Sequence, residues 1–447
     1  MRKEVRMFSA ALAVTLPALV VHLGPVAGGA TLPTAVPTVE TPATFNDDAG
    51  GNVDSDDPEV WIHPDDTDDS LVLGAEKEAG MTVFDMHGAV VQHVEPAPPP
   101  RPGDEGGRLN NLDVLYDVPI DDHDEDIAVV SDRGLDKLHI FRIDEDAAEN
   151  RDDPVTDITA SDAPYLFSAN QDEVNEQNTA YGLTTWKSDS GTVYVIVTRS
   201  DRTDLALFRL TPNSDGTVGY RLVRRAALPD SFTLPDGTSW TPCTDPGEEP
   251  HAEGMVVDEE RGLVYISQEG VGIWRANADL RSFAPVLIDK VREFGVPGTY
   301  DPVADECVAG PDPGYGGTHL SADVEGLSIY HRADRKGYLI ASSQGDSTYA
   351  VYDRVPGNRH LGQFRIGDGP AVDGTQNTDS FFVTNVPVAQ FRKGVMLVQD
   401  GDNTPHEVDE NGEVREGTNF KYVPWESVAT AFPADLRIDT EGWHPRD

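Results

Sequence analysis

The sequence predicts an all-β fold, a six-bladed β-propeller. Short runs of β-branched and aromatic residues lie between Gly, Asp and Asn turns, and long helical patterns are nearly absent. A polar corner precedes each of six successive units, 54 to 72 residues apart, at Asp57, Asp113, Gly182, Glu253, Glu325 and Asp379. Six such units fit blades arranged around a central channel. A pair of β-sandwiches is the alternative architecture.

The apolar runs within these units predict the strands of the blades. These runs are three to five residues long, which is typical of short strands and too short for buried helices. The clearest runs cover residues 71–74, 82–84, 126–130, 138–141, 193–197, 205–208, 264–266, 338–341 and 349–352.

The N-terminal region predicts export. Arg2, Lys3 and Arg6 precede an apolar run over 7–21 and a stretch of small residues that ends at Ala30. This pattern is typical of a secretory signal peptide over 1–30, and the run is short for a transmembrane helix. We therefore expect a secreted protein without a membrane anchor after cleavage. Residues 31–52, rich in Pro, Thr, Ala and Gly, predict a flexible leader, and 53–447 a single propeller domain.

The charge of the chain excludes nucleic acid as a partner. There are 34 Lys and Arg against 79 Asp and Glu, so the formal net charge is −45. Nucleic-acid binding needs a basic surface. The same charge favours a monomer, and an anionic substrate would need metal ions between it and the protein.

Two cysteines, Cys243 and Cys307, are present in this predicted secreted chain. One disulfide is expected in an oxidising compartment. It would join two irregular segments rich in Pro, Gly and Asp, over 228–250 and 297–317. Without a CxxC motif or a second cysteine pair, the sequence excludes a zinc site made of thiolates.

Acidic residues recur at the predicted corners. Radial repetition would bring these carboxylates together around one axis, where they would repel each other unless cations lay among them. An all-oxygen set of ligands favours calcium. The alternative is that the acidic residues only solvate the surface, as in halophilic or highly soluble secreted proteins.

Ten short motifs resemble those of one family, the β-propeller phytases. The resemblance runs in consistent order from about Asp54 to Ala429. The motifs are DDPEVW at 56–61, NNLD at 110–113, EGM at 253–255, DVEGL at 323–327, ASSQGDS at 341–347, DGP at 368–370, DGT at 373–375, QDG at 399–401, NFK at 419–421 and VPW at 423–425. The family is a calcium-dependent six-bladed propeller of alkaline 3-phytase type. The resemblance thus implies a phosphomonoesterase that converts phytate, as calcium phytate, to lower inositol phosphates and phosphate, with several Ca²⁺ ions activating the attacking water.

The resemblance also implies roles for individual residues. Metal ligands around the cleavage site would be Asp56, Asp57, Glu253, Glu269, Asp323, Glu325, Asp373 and Asp379. Of these, Glu253, Glu269, Asp323 and Glu325 would be catalytic, while Asp400, Asp402 and Asn403 match a segment that helps to hold structural calcium. Phosphate contacts would come from Lys77, Arg133 and Tyr181. Where the family commonly has a lysine, this chain has Arg199, Ser200, Asp201 and Arg202, so Arg199 or Arg202 is expected to replace it.

Two other function classes share part of this pattern. The chain lacks GxSxG, HExxH and P-loop motifs, which agrees with metal-assisted attack by water. A calcium-dependent propeller lactonase or esterase would need an apolar pocket, and Lys77 and Arg133 would then be ordinary bases paired with neighbouring acids. A noncatalytic binding propeller would not need acids that converge at one channel mouth.

Overall fold

The computed structural model describes residues 32–47, 49–121, 123–188, 190–304, 306–432 and 436–446. The predicted signal peptide over 1–30 lies outside the described residues. In the part of the chain that is described, no helix has the length and apolar character needed to cross a membrane.

The first half of the chain forms three short strands and then three blades. The short strands are β1 (Thr34–Ala35), β2 (Val39–Glu40) and β3 (Thr44–Phe45). Blade 1 contains β4 (Pro58–Trp61), β5 (Leu71–Ala75), β6 (Met81–Asp85) and β7 (Val90–Val94). Blade 2 contains β8 (Leu109–Ile120), β9 (His123–Asp132), β10 (Lys137–Ile143) and β11 (Val155–Asp157), with helix α1 (Glu145–Asn150) before its last strand. After helix α2 (Gln171–Val174), blade 3 contains β12 (Ala180–Lys187), β13 (Val193–Arg199), β14 (Asp204–Pro212) and β15 (Val218–Ala227).

The second half contains the other three blades and two hairpins. The hairpins are β16 (Phe232–Thr233) with β17 (Ser239–Trp240), and β22 (Gly298–Asp301) with β23 (Glu306–Ala309). Between them, blade 4 contains β18 (Ala252–Asp258), β19 (Leu263–Gln268), β20 (Gly272–Asn277) and β21 (Val286–Lys290). Blade 5 contains β24 (Val324–Arg332), β25 (Lys336–Ser343), β26 (Thr348–Asp353) and β27 (His360–Ile366). Blade 6 contains β28 (Phe381–Thr384), β29 (Val395–Val408) and β30 (Val414–Pro424), followed by helix α3 (Trp425–Ala431).

The six blades close into a ring. The first strand of each blade contacts the first strands of both neighbours, and β28 of blade 6 contacts β4 of blade 1. Within each blade the strands are antiparallel and follow one another in sequence order. The predicted six-bladed propeller is therefore confirmed, and the alternative pair of β-sandwiches is wrong.

The apolar runs are continuous because every blade lies between two others. Val195 and Ile196 are consecutive in β13, so their side chains point to opposite faces of the blade, and both are fully buried. Val195 packs in the core shared with blade 2, and Ile196 packs in the core shared with blade 4. A strand buried on both faces loses the alternation of polar and apolar residues.

The N-terminal segment completes the outer edges of blades 5 and 6. Strand β2 pairs with β30, with Val39 opposite Tyr422, and β3 pairs with the same strand. Strand β1 lies parallel to β27 of blade 5. The prediction of a flexible leader is thus wrong for residues 32–47, because the edge of blade 6 offers unpaired backbone groups to which this segment binds.

Candidate metal and phosphate site

A β-bulge recurs at the start of four inner strands. The pairing register shifts between Leu109 and Leu112, Ala180 and Leu183, Ala252 and Met255, and Val324 and Leu327. A bulge changes the direction in which a side chain points. The first bulged residues are Asn110, Tyr181, Glu253 and Glu325, and the corresponding positions in blades 1 and 6 are Asp56 and Asp379, just before the inner strands. These six residues surround one mouth of the channel.

The second bulged position determines how closely neighbouring blades approach. It is glycine in blades 3, 4 and 5, and a Cβ atom on Gly254 would lie 2.2 Å from the carbonyl oxygen of Glu325. In blade 1 the same position is Asp57, which accepts hydrogen bonds from Ser380 Oγ at 2.5 Å and from the Leu112 N–H at 2.9 Å. Asp57 therefore joins blades 6, 1 and 2, and burial raises its pKa to about 7.

Three glutamates converge at the mouth. Glu253, Glu269 and Glu325 each place a carboxylate oxygen within 4.8 Å of the other two. Glu253 and Glu325 come from the bulges, and Glu269 lies in the turn between β19 and β20. Burial, Glu269 and Glu253 raise the pKa of Glu325 well above its usual value, and burial raises the pKa of Glu269 to about 7. Carboxylates this close and this buried need cations or protons among them.

The donor atoms of this cluster fit a hard divalent cation. Asp56 Oδ2 and Glu325 Oε2 are buried and have no hydrogen-bond partner among the described residues. An unpaired buried carboxylate oxygen is costly, and a bound cation would remove that cost. The cluster offers only oxygen ligands, as Ca²⁺ and Mg²⁺ prefer. Asn110, which sequence reasoning did not assign, donates to Glu253 Oε1 at 2.6 Å and fixes that carboxylate.

Basic side chains lie beside these carboxylates. Lys77 Nζ is 2.8 Å from Asp54 Oδ2 and 3.4 Å from Asp379 Oδ2. Burial opposes its charge, but Asp379, Asp56 and Asp54 outweigh burial and raise the pKa of Lys77 well above its usual value.

Arg133 and Tyr181 form the next part of the mouth. The Arg133 guanidinium carbon lies 4.9 Å from the centre of the Tyr181 ring, within cation–π range. Burial, Glu253, Glu269 and Glu325 raise the pKa of Tyr181 well above its usual value, so its hydroxyl stays protonated. Lys77, Arg133 and Tyr181 are thus placed together at the mouth with the glutamates.

Arg199 and Arg202 make their contacts elsewhere. Arg199 Nε donates to the Asn178 carbonyl at 2.7 Å, and its guanidinium lies 5.6 Å from the centre of the Phe167 ring. Arg202 Nη1 donates to the Gly247 carbonyl at 2.9 Å. Neither arginine contacts the glutamate cluster in the structure.

A histidine that sequence reasoning missed lies next to the cluster. His251 Nε2 is 2.9 Å from Glu269 Oε1, and its ring packs edge-on against Tyr181 at 5.5 Å between ring centres. Burial lowers the pKa of His251, but Glu269 and Asp201 outweigh burial and raise it to about 9. Its signal in the sequence is its position two residues before Glu253, immediately before the strand that carries Glu253.

A second acidic group surrounds a buried lysine. Lys421 is fully buried, and its Nζ lies 2.5 Å from Glu40 Oε2, 2.6 Å from Asn403 Oδ1 and 3.4 Å from Asp400 Oδ2, with Asp373 also in contact. The structure therefore gathers Asp373, Asp400 and Asn403 around an ammonium group. Asp402 lies apart from Lys421, and its carboxylate is 3.0 Å from His406 Nε2.

Asp113 and Asp323 are not among the three converging glutamates. The sequence predicts Asp113 at the corner of blade 2, but Asn110 occupies the repeated position, since Asp113 lies beyond the β-bulge at the start of β8. The Asp113 carboxylate accepts from the Thr185 N–H at 2.5 Å and lines a cavity of about 190 Å³ further down the channel. Asp323 precedes β24 and is exposed. It is not one of the three converging glutamates, but its charge contributes to the raised pKa of Glu269 and of Glu325, so it lies near the cluster.

Fold and site together define a six-bladed β-propeller whose one mouth combines a cation-binding set of carboxylates with bases able to bind anions. A sequence profile of the phytase family matches residues 9–233 and 308–447. The chain belongs to the phytase family, as the motifs predicted.

A curated relative agrees with this assignment. The chain is 30% identical over 385 residues to a 3-phytase of Bacillus subtilis (strain 168), covering 85% of this chain and 82% of the relative. Membership and this relative support phytate hydrolysis in general. Among solved structures, a protein of unknown function from Bacteroides thetaiotaomicron is similar at 10% identity and a TM-score of 0.43, covering 88% of this chain and 75% of that one.

Proposed function

We propose that this chain is a secreted, calcium-dependent phosphomonoesterase of 3-phytase type that hydrolyses phytate to lower inositol phosphates and phosphate. The observation that supports it best is the placement of Glu253, Glu269 and Glu325 within 4.8 Å of one another at the channel mouth. Lys77 and Arg133 lie beside them. A polyanionic substrate needs both cations and bases to approach a chain of net charge −45.

The carboxylates would hold the metal ions. Asp56, Glu253, Glu269, Glu325 and Asp379 are the acidic groups that the inner strands and the adjacent turn bring to the mouth. Bound calcium would neutralise them, polarise a phosphoryl oxygen and make a water molecule more acidic. Asn110 would keep Glu253 oriented through its 2.6 Å hydrogen bond.

The bases would bind the phosphate groups. An ammonium or guanidinium group has no lone pair to offer a metal, so Lys77 and Arg133 act on substrate oxygens. Arg133 is held in place by the Tyr181 ring, and the protonated Tyr181 hydroxyl is a hydrogen-bond donor. These groups would orient the phosphate ester and stabilise the charge that develops on it.

Phosphate release from phytate tests this proposal. Purified protein would be assayed with excess Ca²⁺, with excess EDTA after dialysis, and with a lactone in parallel. We expect phosphate release only with Ca²⁺ and no lactone hydrolysis. Full activity in EDTA would contradict the metal mechanism, lactone hydrolysis alone would identify a lactonase, and no turnover of either substrate would leave a binding propeller.

Export and the monomeric state are part of the same proposal and have their own test. Protein recovered from the culture medium of a producing cell should have lost residues 1–30, as measured by intact mass, and should elute as a monomer from a sizing column. Retention in the cells at full length would contradict export.

A further inference from the structure

Two insertions flank blade 4 on the side of the channel mouth. The first insertion, residues 228–251, joins β15 to β18, and the second insertion, residues 291–323, joins β21 to β24. The disulfide between Cys243 and Cys307 links them, as the sequence predicted. Trp240 of the first insertion also packs against Phe294 of the second, with the two rings tilted by 52° and 4.6 Å between their centres. Much of this region lies outside the two segments that match the family.

The first insertion is fastened to blade 4 by one buried side chain. Gln268 is the last residue of β19 and is fully buried. Its amide nitrogen donates to the carbonyl of Pro229 at 3.1 Å and to that of Pro250 at 2.6 Å, near the two ends of the insertion. Its amide oxygen accepts from Trp274 Nε1 at 2.9 Å. Both N–H donors and the oxygen of this amide are therefore used.

The residue after Gln268 is Glu269 of the glutamate cluster. The turn that carries Glu269 is closed by a hydrogen bond from the Val271 N–H to the Gln268 carbonyl at 2.8 Å. Pro242 of the first insertion packs against this turn, since a Cβ on Gly270 would lie 3.2 Å from Pro242 Cβ.

The first insertion also contacts Glu269 itself, through His251. This histidine follows Pro250, whose carbonyl Gln268 holds, and its Nε2 lies 2.9 Å from Glu269 Oε1. Gln268 thus fixes the backbone on both sides of the contact between His251 and Glu269.

We propose that Gln268 is a positioning residue for Glu269, through which the first insertion sets the orientation of that carboxylate for calcium. This inference rests on the proposed function. Groups that orient a metal ligand without touching the metal commonly change its affinity by about 10- to 100-fold when removed. We assign Gln268 no direct contact with an ion, because its amide group is hydrogen-bonded to Pro229, Pro250 and Trp274.

The test compares Gln268→Met with a matched control. Methionine keeps the length and volume of glutamine but removes its hydrogen bonds, and it adds no charge near the cluster. Gln92→Met is the control, because Gln92 also makes two backbone hydrogen bonds, both to Val155 at 2.8 Å, on an outer strand of blade 1. Calcium binding to the intact, metal-free protein would be measured by calorimetry without substrate. The thermal midpoint of each variant would be measured in parallel.

We expect Gln268→Met to bind Ca²⁺ at the glutamate cluster about tenfold more weakly than the parent does. Gln92→Met should bind Ca²⁺ like the parent. Parental Ca²⁺ affinity in Gln268→Met would overturn the inference. If Gln268→Met does not fold, Trp274→Phe removes the donor to the Gln268 oxygen together with part of the indole ring. This variant must weaken Ca²⁺ binding, and unchanged binding would again overturn the inference. A parent that neither binds Ca²⁺ nor hydrolyses phytate would instead overturn the proposed function.

Discussion

The ammonium nitrogen of Lys77 lies 3.4 Å from a carboxylate oxygen of Asp379, 302 positions further along the chain. Lys77 follows the second strand of blade 1, and Asp379 lies two residues before the inner strand of blade 6. The contact therefore spans the junction at which the ring of blades closes. It also places a cation next to the acids of the channel mouth, where the proposed function assigns Lys77 to a phosphate group of the substrate.

Replacing Lys77 with alanine should separate substrate binding from metal binding. We expect kcat/KM for phytate to fall about tenfold or more, because a charge-assisted hydrogen bond to phosphate is lost. The rise in thermal midpoint on adding Ca²⁺ should be at least as large as in the parent, since an ammonium group cannot ligate calcium. Exposed Lys393→Ala is the control. Unchanged phytate kinetics in Lys77→Ala would show that Lys77 only pairs with Asp54 and Asp379.

Replacing single glutamates of the cluster should abolish most turnover. In Glu253→Gln and Glu325→Gln the amide keeps the shape of the side chain but removes a negative charge from the metal site. We expect kcat for phytate to fall roughly hundredfold or more, with an unchanged circular dichroism spectrum. Glu410→Gln, at an exposed position, should behave like the parent. Near-parental turnover in both cluster variants would place the cleavage site elsewhere.

Removing the buried ammonium group of Lys421 should destabilise the fold. Lys421→Met would leave Glu40, Asp373 and Asp400 around an apolar side chain. Breaking a buried ion pair in this way costs about 3–5 kcal/mol. Urea unfolding in the presence of EDTA would measure the loss, with Lys393→Met as the exposed control. Stability equal to that of the parent would contradict a structural role for the Lys421 ion pairs.

The predicted corners match the repeated position at the channel mouth in blades 4, 5 and 6, but in blades 1 to 3 they are Asp57, Asp113 and Gly182 instead of Asp56, Asn110 and Tyr181. Asp56, Asn110, Tyr181, Glu253, Glu325 and Asp379 are separated by 110 − 56 = 54, 181 − 110 = 71, 253 − 181 = 72, 325 − 253 = 72 and 379 − 325 = 54 residues. In blade 2 the nearest carboxylate, Asp113, lies three residues beyond Asn110. A bulge changes the direction in which its side chains point, and no apolar pattern in the sequence reveals where a bulge falls.

Other features could not be read from local sequence because they depend on contacts between distant segments. Lys421 is buried only because Glu40, from the N-terminal segment, and Asp373 and Asp400, from blade 6, surround it. Gln268 gains its role from two carbonyls of the first insertion. Strands of two residues such as β1 are too short to show any periodicity in the sequence. They form only because the free edge of a blade supplies backbone hydrogen-bond partners.

His139 should make stability depend on pH in a definite direction. Its Nε2 lies 3.0 Å from Asp132 and its Nδ1 lies 3.1 Å from Asp157. Burial lowers the pKa of His139, but these two carboxylates outweigh burial and raise it to about 9. Because the folded pKa exceeds the unfolded value of about 6.5, the stabilisation is complete below about pH 6.5 and is lost as the pH rises through 9.

In His139→Gln we expect unfolding free energies on the order of 2 kcal/mol lower than in the parent at pH 6, with the difference shrinking towards pH 10. Urea unfolding of both proteins at pH 6, 8 and 10 would measure this, with a substitution at an exposed histidine, His87→Gln, as the control. A difference that stays constant or grows with pH would show that His139 is not held as a cation between Asp132 and Asp157.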